Sequence, residues 1–397
     1  MSLHRAHTDA PVRPTRWPVA AAFGLVGSVV VALIVMAFVW PAATSQPQNL
    51  PVGISGPTDA VTAVEDRLAE QDPAPFDLLE VDSRDDAVSQ IESRGLYGAI
   101  LLGEEPEVLI ATAASPVAAQ ALRGVATQLQ SQIDTAAKTA LTDQLTAIVG
   151  ALQSGQRPQL PEGAAGAPPE IPTVTVTDVV PLAEGDATGA GLAASVFPLV
   201  LGGMLGGILL TLLVQGVVRR LIGLVVFGIA AGALITLVMQ TWFGMLAGDW
   251  LLNATVIGLG VSATSALIIG LAAVMGPPGI AVGAVITMFI ANPIAGAALP
   301  PQFLPEPWGA IGQFFVPGAS ATLLRSVMYF PDASTAPQWI ILGAWLVGGV
   351  VLALIGHQRT RAELAPPARQ LEPAEPAEPA EPTEPAESLE PAEPLAR

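Results

Sequence analysis

The sequence predicts an α-helical polytopic membrane protein of six transmembrane helices, one followed by five, with an extracytoplasmic α/β domain that carries a long helix. Three observations carry that prediction. The 397-residue chain is 51% apolar and only 13% charged, and several apolar runs exceed the ~18 residues that mark a span. Between the first and second runs lies a stretch of short strand-like and amphipathic helical segments. Arginines, finally, sit beside those connections that a single orientation places on one side of the bilayer.

Residues 1–17 form a short N-terminus with Arg5, Arg13 and Arg16. The first span, residues 18–40, is apolar from Pro18 to Val39 and closed by Trp40 at the expected interface. The run is longer than the ~7–15 apolar residues of a cleavable signal, so a retained anchor is expected.

Residues 41–190 read as the α/β domain. "LPVGI" (Leu50–Ile54), "FDLLEV" (Phe76–Val81), "YGAILL" (Tyr97–Leu102) and "EVLIAT" (Glu107–Thr112) have strand character, and the segments between the first three have helical periodicity. Ser83, with Asp86 three residues on, reads as a helix cap. A long helix is expected from Ser115 to about Ser154. Its apolar stripe, through Leu122, Leu129, Leu141, Leu145 and Leu152, covers the sheet or packs on a second chain. Gly155–Pro172 is a Pro/Gly linker, and Thr173–Leu182 alternates as a returning strand.

Residues 191–356 form a five-helix membrane domain, with spans at Gly191–Val217, Leu221–Thr241, Leu251–Met275, Ile280–Ala298 and Gln338–Gly356. The Pro-broken segment 303–330 is too interrupted to span. It reads as an outer re-entrant or interfacial segment, with Arg325 near the headgroups and Trp308 and Tyr329 as anchors. Glycines four apart, Gly202/Gly206, Gly203/Gly207 and Gly228/Gly232, let helix backbones approach closely. Pro198 and the Asn292–Pro293 pair interrupt spans and mark either packed kinks or a substrate path.

The topology determinants are Arg13, Arg16, Arg219, Arg220, Arg359 and Arg361. Six crossings from a cytoplasmic N-terminus put all of them in the cytoplasm, with both termini inside a bacterial cytoplasmic membrane. Residues 41–190, with 21 acidic and six basic side chains, then face outward.

Catalytic chemistry finds little footing. The chain has no cysteine, and no HExxH or GxxxxGK[ST] motif occurs. Its histidines, His4, His7 and His357, all lie on the expected cytoplasmic side, so Ser320 of "GASA" has no base on its own side. Asp82, Asp85 and Asp86 lack the glycine turn of a calcium loop and read as a solvated helix start. No metal, cofactor or enzymatic activity is expected. The net charge of −18 offers no footing for nucleic acid. No charged residue sits at mid-span, which argues against ion-coupled transport. Residues 357–397 form a cytoplasmic tail whose Glu-Pro-Ala repeat (Glu372–Pro394) suits an extended polyproline II arm.

One span, an α/β insert with a long helix and five further spans, together with "LPVGI", "DSRDDAVSQIESRGLYGAILL" and "FLPEPWGAIGQFFVPGASATLLRSVMYF", resemble the permease-like membrane proteins of the second ABC-exporter class. The likeness is nearest the branch of phage-infection-protein-like and type VII secretion accessory proteins, and covers about residues 18–356. It implies export of a substrate with a separate ATP-binding subunit, as a homo- or hetero-oligomer in the lipid bilayer. The alternative is an ATPase-independent scaffold or receptor whose outer domain binds an extracytoplasmic protein.

Overall fold

The computed structural model describes residues 16–69, 71, 73–154, 171–297 and 299–364. Arg13, nearly all of the Pro/Gly linker and the Glu-Pro-Ala repeat lie outside the described residues. Residues 1–357 form one unit. Residues 358–397 form a second, of which 358–364 are described, as helix.

The chain is mostly helical, with a small sheet. Helix α1 (Trp17–Thr44) leads into β1 (Leu50–Ser55), α2 (Thr58–Ala69), β2 (Phe76–Glu80), α3 (Arg84–Glu92), β3 (Gly98–Leu101) and β4 (Glu107–Ile110). The long α4 (Pro116–Gln153) and β5 (Thr175–Asp178) complete the sheet domain. Its strand order is β2-β1-β3-β4-β5: β1 is parallel to β2 and β3, β3 antiparallel to β4, and β4 parallel to β5. The strands fall where alternation and β-branched content place them, and the returning segment pairs with β4.

Local chemistry explains the helix ends. Ser83 Oγ accepts from Asp86 N at 3.2 Å, and the Asp86 carboxylate reaches back to Asp82 N at 3.3 Å. Ser115 Oγ caps α4 through Ala118 N at 3.1 Å, and Pro116 opens the first turn without losing a needed donor. The first third of α4 covers the sheet with buried Ala118, Ala119, Leu122 and Ala126. Farther along, Leu141, Leu145, Val149 and Leu152 are exposed. The stripe read from the sequence therefore divides: its start covers the sheet, and its end, at Leu141, Leu145 and Leu152, is exposed among the described residues.

Glu107, on β4, ties that strand to α3 and β5. It accepts from Arg84 Nε at 2.8 Å, from Arg84 Nη2 at 3.1 Å and from Thr177 Oγ1 at 2.5 Å. The Arg84 hydrogen bonds hold its carboxyl below the ordinary carboxylate range.

The remaining helices form a bundle: α5 (Ala190–Leu213), α6 (Val217–Thr236), α7 (Trp250–Met275), α8 (Pro277–Val285), α9 (Trp308–Gly312), α10 (Val316–Tyr329) and α11 (Ala336–Leu364). Among the described residues five helices are long and apolar enough to cross a membrane: Pro18–Pro41, Ser195–Leu213, Val217–Trp242, Trp250–Met275 and Ala336–Gln358. Helix α7 is apolar all round and forms the axis, with 78% of its apolar window buried against 0% for α1. The segment read as a span at Ile280–Ala298 is a shorter apolar helix, Pro277–Ala291, whose last six residues form a π turn. At ~1.5 Å per residue such a helix reaches ~22 Å, short of ~30 Å of hydrocarbon. The sheet domain meets one end of the bundle, the proximal end; the turns at Val214–Gly216 and Gly276 lie at the other.

Packing between helices rests on glycine. A Cβ at Gly232 would strike the Ala254 carbonyl on α7, whereas one at Gly202 would meet no atom within 4 Å. Gly232→Ala is expected to cost ~1–3 kcal/mol by overpacking. Gly202→Ala is expected to gain ~0.5–1 kcal/mol by lowering unfolded-state entropy. Thermal unfolding in detergent checks both signs.

A pH titration follows from Glu107. Its folded pKa is depressed, so its contribution is complete above the unfolded carboxylate value of ~4.3 and is lost as pH falls through the folded value. Hydrogen exchange of β4 and β5 between pH 6 and 3, wild type against Glu107→Gln, should show the wild type losing protection more steeply (pH values approximate, about the carboxylate range).

Candidate functional site at the domain junction

The sheet domain does not finish its own core. Phe303 and Phe330, which bracket the α9–α10 hairpin, are 2% and 1% exposed and belong to the same apolar cluster as Leu50, Ile54, Ile91, Leu96 and Leu109. Gln46 N donates to Phe303 O at 3.3 Å, which fixes the chain after α1 beside the same point. Trp40 near the end of α1 meets Trp308 edge-on, with ring centroids 6.0 Å apart.

Arg94 crosses the junction. Helix α3 ends in a Schellman turn, with Gly95 N donating to Gln90 O at 2.7 Å and Arg94 N to Ile91 O at 3.0 Å. That turn puts Arg94 at φ 63°, the left-handed position usually given to glycine. A bulky residue there costs ~1–2 kcal/mol. Its side chain donates from Nη1 to Thr322 O at 3.1 Å and to Ser326 Oγ at 2.6 Å, and lies 5.5 Å from the centre of the Phe330 ring. Burial lowers the Arg94 pKa from its ordinary value, although guanidinium stays charged. Tyr97 is pushed up by burial, and its hydroxyl donates to Gln302 Oε1 at 3.1 Å.

The hairpin itself is locked to the bundle. Arg325, expected near headgroups, is 8% exposed and donates from Nη2 to Ala297 O at 3.1 Å. The broken segment before α9 leaves carbonyls without helical donors, and Arg325 supplies one. Tyr329, expected as an interface anchor, accepts from Ala183 N at 3.3 Å. Trp345 Nε1 on α11 donates to Phe314 O at 2.8 Å. Gly312 and Gly318 allow close backbone approach to Ile294 O and Gly312 O.

The other sequence-derived positions lie elsewhere. Gly203 and Gly207 on α5 pack on Thr264, Ser265 and Ile268 of α7; Gly206 faces the Phe227 ring. Gly228 and Gly232 on α6 meet Ser262, Ala254 and Gly258 of α7, while Gly202 faces open space. Pro198 is an exposed residue within α5. The Asn292–Pro293 break follows the π turn, in which Asn292 N bonds back to Thr287 O at 3.2 Å, five residues away. Pro198 and Pro293 thus sit on separate elements. Arg16 precedes α1, Arg219 and Arg220 lie in the first turn of α6, and Arg359 and Arg361 lie in the helix of the second unit.

Ser320 lines a cavity of ≈ 30 Å³ between α5, α7 and α10, and its Oγ makes no hydrogen bond. A wider apolar groove of ≈ 600 Å³ runs between α6 and α11 against α7. Among the described residues no group of acidic or histidine side chains is placed to hold a metal.

Sequence reasoning missed Arg94, Phe303 and Phe330 as partners. The one signal was the pair Arg94–Gly95 at a helix end, where glycine is normally the left-handed residue itself. Comparison of the chain with protein-family models, curated proteins and solved structures finds no match.

Arg94→Ala is expected to weaken the junction by about 2 kcal/mol, because it strands two acceptors and a ring face. Hydrogen exchange of residues 322–330 should then rise roughly 30-fold if opening at the junction limits it. Phe330→Ala should cost more, ~3–5 kcal/mol, by leaving a cavity in the sheet domain.

Proposed function

We propose that the chain is a permease-like subunit of an export system in a bacterial cytoplasmic membrane, driven by a separate ATP-binding subunit. Its sheet domain faces outward and governs the α9–α10 hairpin. The single observation that carries this reading is the bracketing of that hairpin by Phe303 and Phe330, both seated in the sheet-domain core. A displacement of the domain pulls on both ends of an element that packs against α5 and α7. The hairpin then acts as a gate, and the sheet domain as its handle.

The orientation has its own support. Arg16, Arg219 and Arg220 lie at the helix ends remote from the sheet domain, where the positive-inside rule puts the cytoplasm. On this reading the chain makes six passages, five of them the long apolar helices and the remaining one beginning with the shorter apolar helix Pro277–Ala291. Both termini are then cytoplasmic.

A second reading is an ATPase-independent scaffold or receptor. It draws on the shortness of the remote turns, Val214–Gly216 and Gly276, which offer little surface for an ATPase to grip.

Two measurements test these readings. In the cysteine-free chain, Ser89→Cys and Ser334→Cys should react with an impermeant thiol reagent on intact cells, and Gln215→Cys and Thr360→Cys only after lysis. The reverse pattern refutes the orientation. Purification from native membranes should bring down a nucleotide-binding subunit in near-stoichiometric amount; a preparation without one favours the scaffold.

A further inference from the structure

We propose that Arg94 and Arg325 form a binding site for a phosphate group at the junction of sheet domain and bundle. The two residues come from segments far apart in sequence, and Arg94 lies against α10 beside Arg325: its Nη1 donates to Thr322 O and Ser326 Oγ, three residues before Arg325 and one after. Arg325 is buried and Arg94 half-buried, yet neither has a carboxylate partner: the ion pair among the described residues joins Arg84 to Glu107. The buried Asp186 is engaged elsewhere, its Oδ2 accepting from Gly191 N at 2.9 Å.

Burying one unpaired charge is costly, and burying two of the same sign beside each other is more so. The neutral acceptors at hand are too few. Arg325 has five N–H groups, and Ala297 O takes one of them. Arg94 uses Nη1 on a carbonyl and a hydroxyl. A phosphate answers this arrangement by chemistry: it carries negative charge and accepts two parallel N–H bonds from each planar fork. Hydroxyl donors stand ready at Tyr97 and Ser326, whose protons now go to Gln302 Oε1 and Thr322 O.

The phosphate has two sources, a lipid headgroup or free orthophosphate. The Trp40–Trp308 pair nearby belongs to the residue class that settles at headgroup level, where lipid phosphate is concentrated. The site does not depend on whether the chain is an exporter or a scaffold.

The test uses the delipidated full-length chain in neutral detergent. Phosphatidylglycerol, phosphatidylcholine and orthophosphate are added in turn, with bound lipid counted by native mass spectrometry and junction protection read by hydrogen exchange. Wild type should bind one phosphate-bearing molecule and gain protection at residues 94–97 and 322–330. R94Q and R325Q should each weaken binding at least tenfold, and R94K should lose less than R94Q. R84Q, which removes a charge already paired with Glu107, should bind as wild type does. Saturation by either lipid with no effect of orthophosphate identifies the headgroup as source; competition by orthophosphate identifies the free ion. Absence of phosphate-dependent protection in wild type overturns the site, even if the glutamine variants fail to fold. Undiminished binding in R94Q and R325Q overturns it equally.

Discussion

The architecture depends on a core that two parts of the chain share. Most small α/β domains bury their own apolar face; this one borrows Phe303 and Phe330 from a hairpin more than 190 residues downstream of its central strands. Each buried aromatic is worth ~1.5–3 kcal/mol of transfer free energy, which is a large share of what a domain of this size retains. Sheet domain and hairpin are thereby coupled in stability. Neither reaches its full packing without the other.

The coupling explains features that look arbitrary one at a time. Arg94 accepts a left-handed backbone because the Schellman turn aims its side chain at α10, and the strain is offset by two hydrogen bonds and a ring face. The broken run between Ala291 and Trp308 would leave carbonyls orphaned in an apolar bundle. Arg325, Gln313 and the π turn supply donors instead, through Ala297 O, Ala295 O and Thr287 O. Irregular backbone is tolerated where protein, rather than lipid, surrounds it.

Much of the fold was legible in the sequence because it follows local period. Strand character located β1 to β4 and alternation β5, the Ser83 cap marked the start of α3, and the long helix was read as starting at Ser115, next to Pro116. Five long apolar runs appear as helices of spanning length. The glycine spacing identified helix approach, though Gly202 shares the spacing and meets nothing, since periodicity does not say which face a neighbour occupies. The junction was less legible. Nothing in the composition of "FLPEPWGAIG" says that Phe303 completes a distant core. Arg325 read as a headgroup residue because a charge in an apolar run usually snorkels. Its burial is decided by Ala297, 28 residues away, and such pairings leave no periodic trace.

The distribution of rigidity follows from the same constraint. Helix α7 is wrapped by α5, α6, α8 and α10, with Asn253 locked to Gln240 Oε1 and Ala247 O and Ser265 to Gly203 O. That axis resists change, because its buried polar groups would lose partners on sliding. The hairpin differs: α9 and α10 carry the small residues Gly312, Gly318 and Ala319 at their tightest contacts, and their ends answer to the sheet domain. The shared core thus joins the sheet domain to α10, which lines the cavity at Ser320 together with α5 and α7. The tight packing between sheet domain and bundle is thus set by where the apolar core is shared, at Phe303 and Phe330.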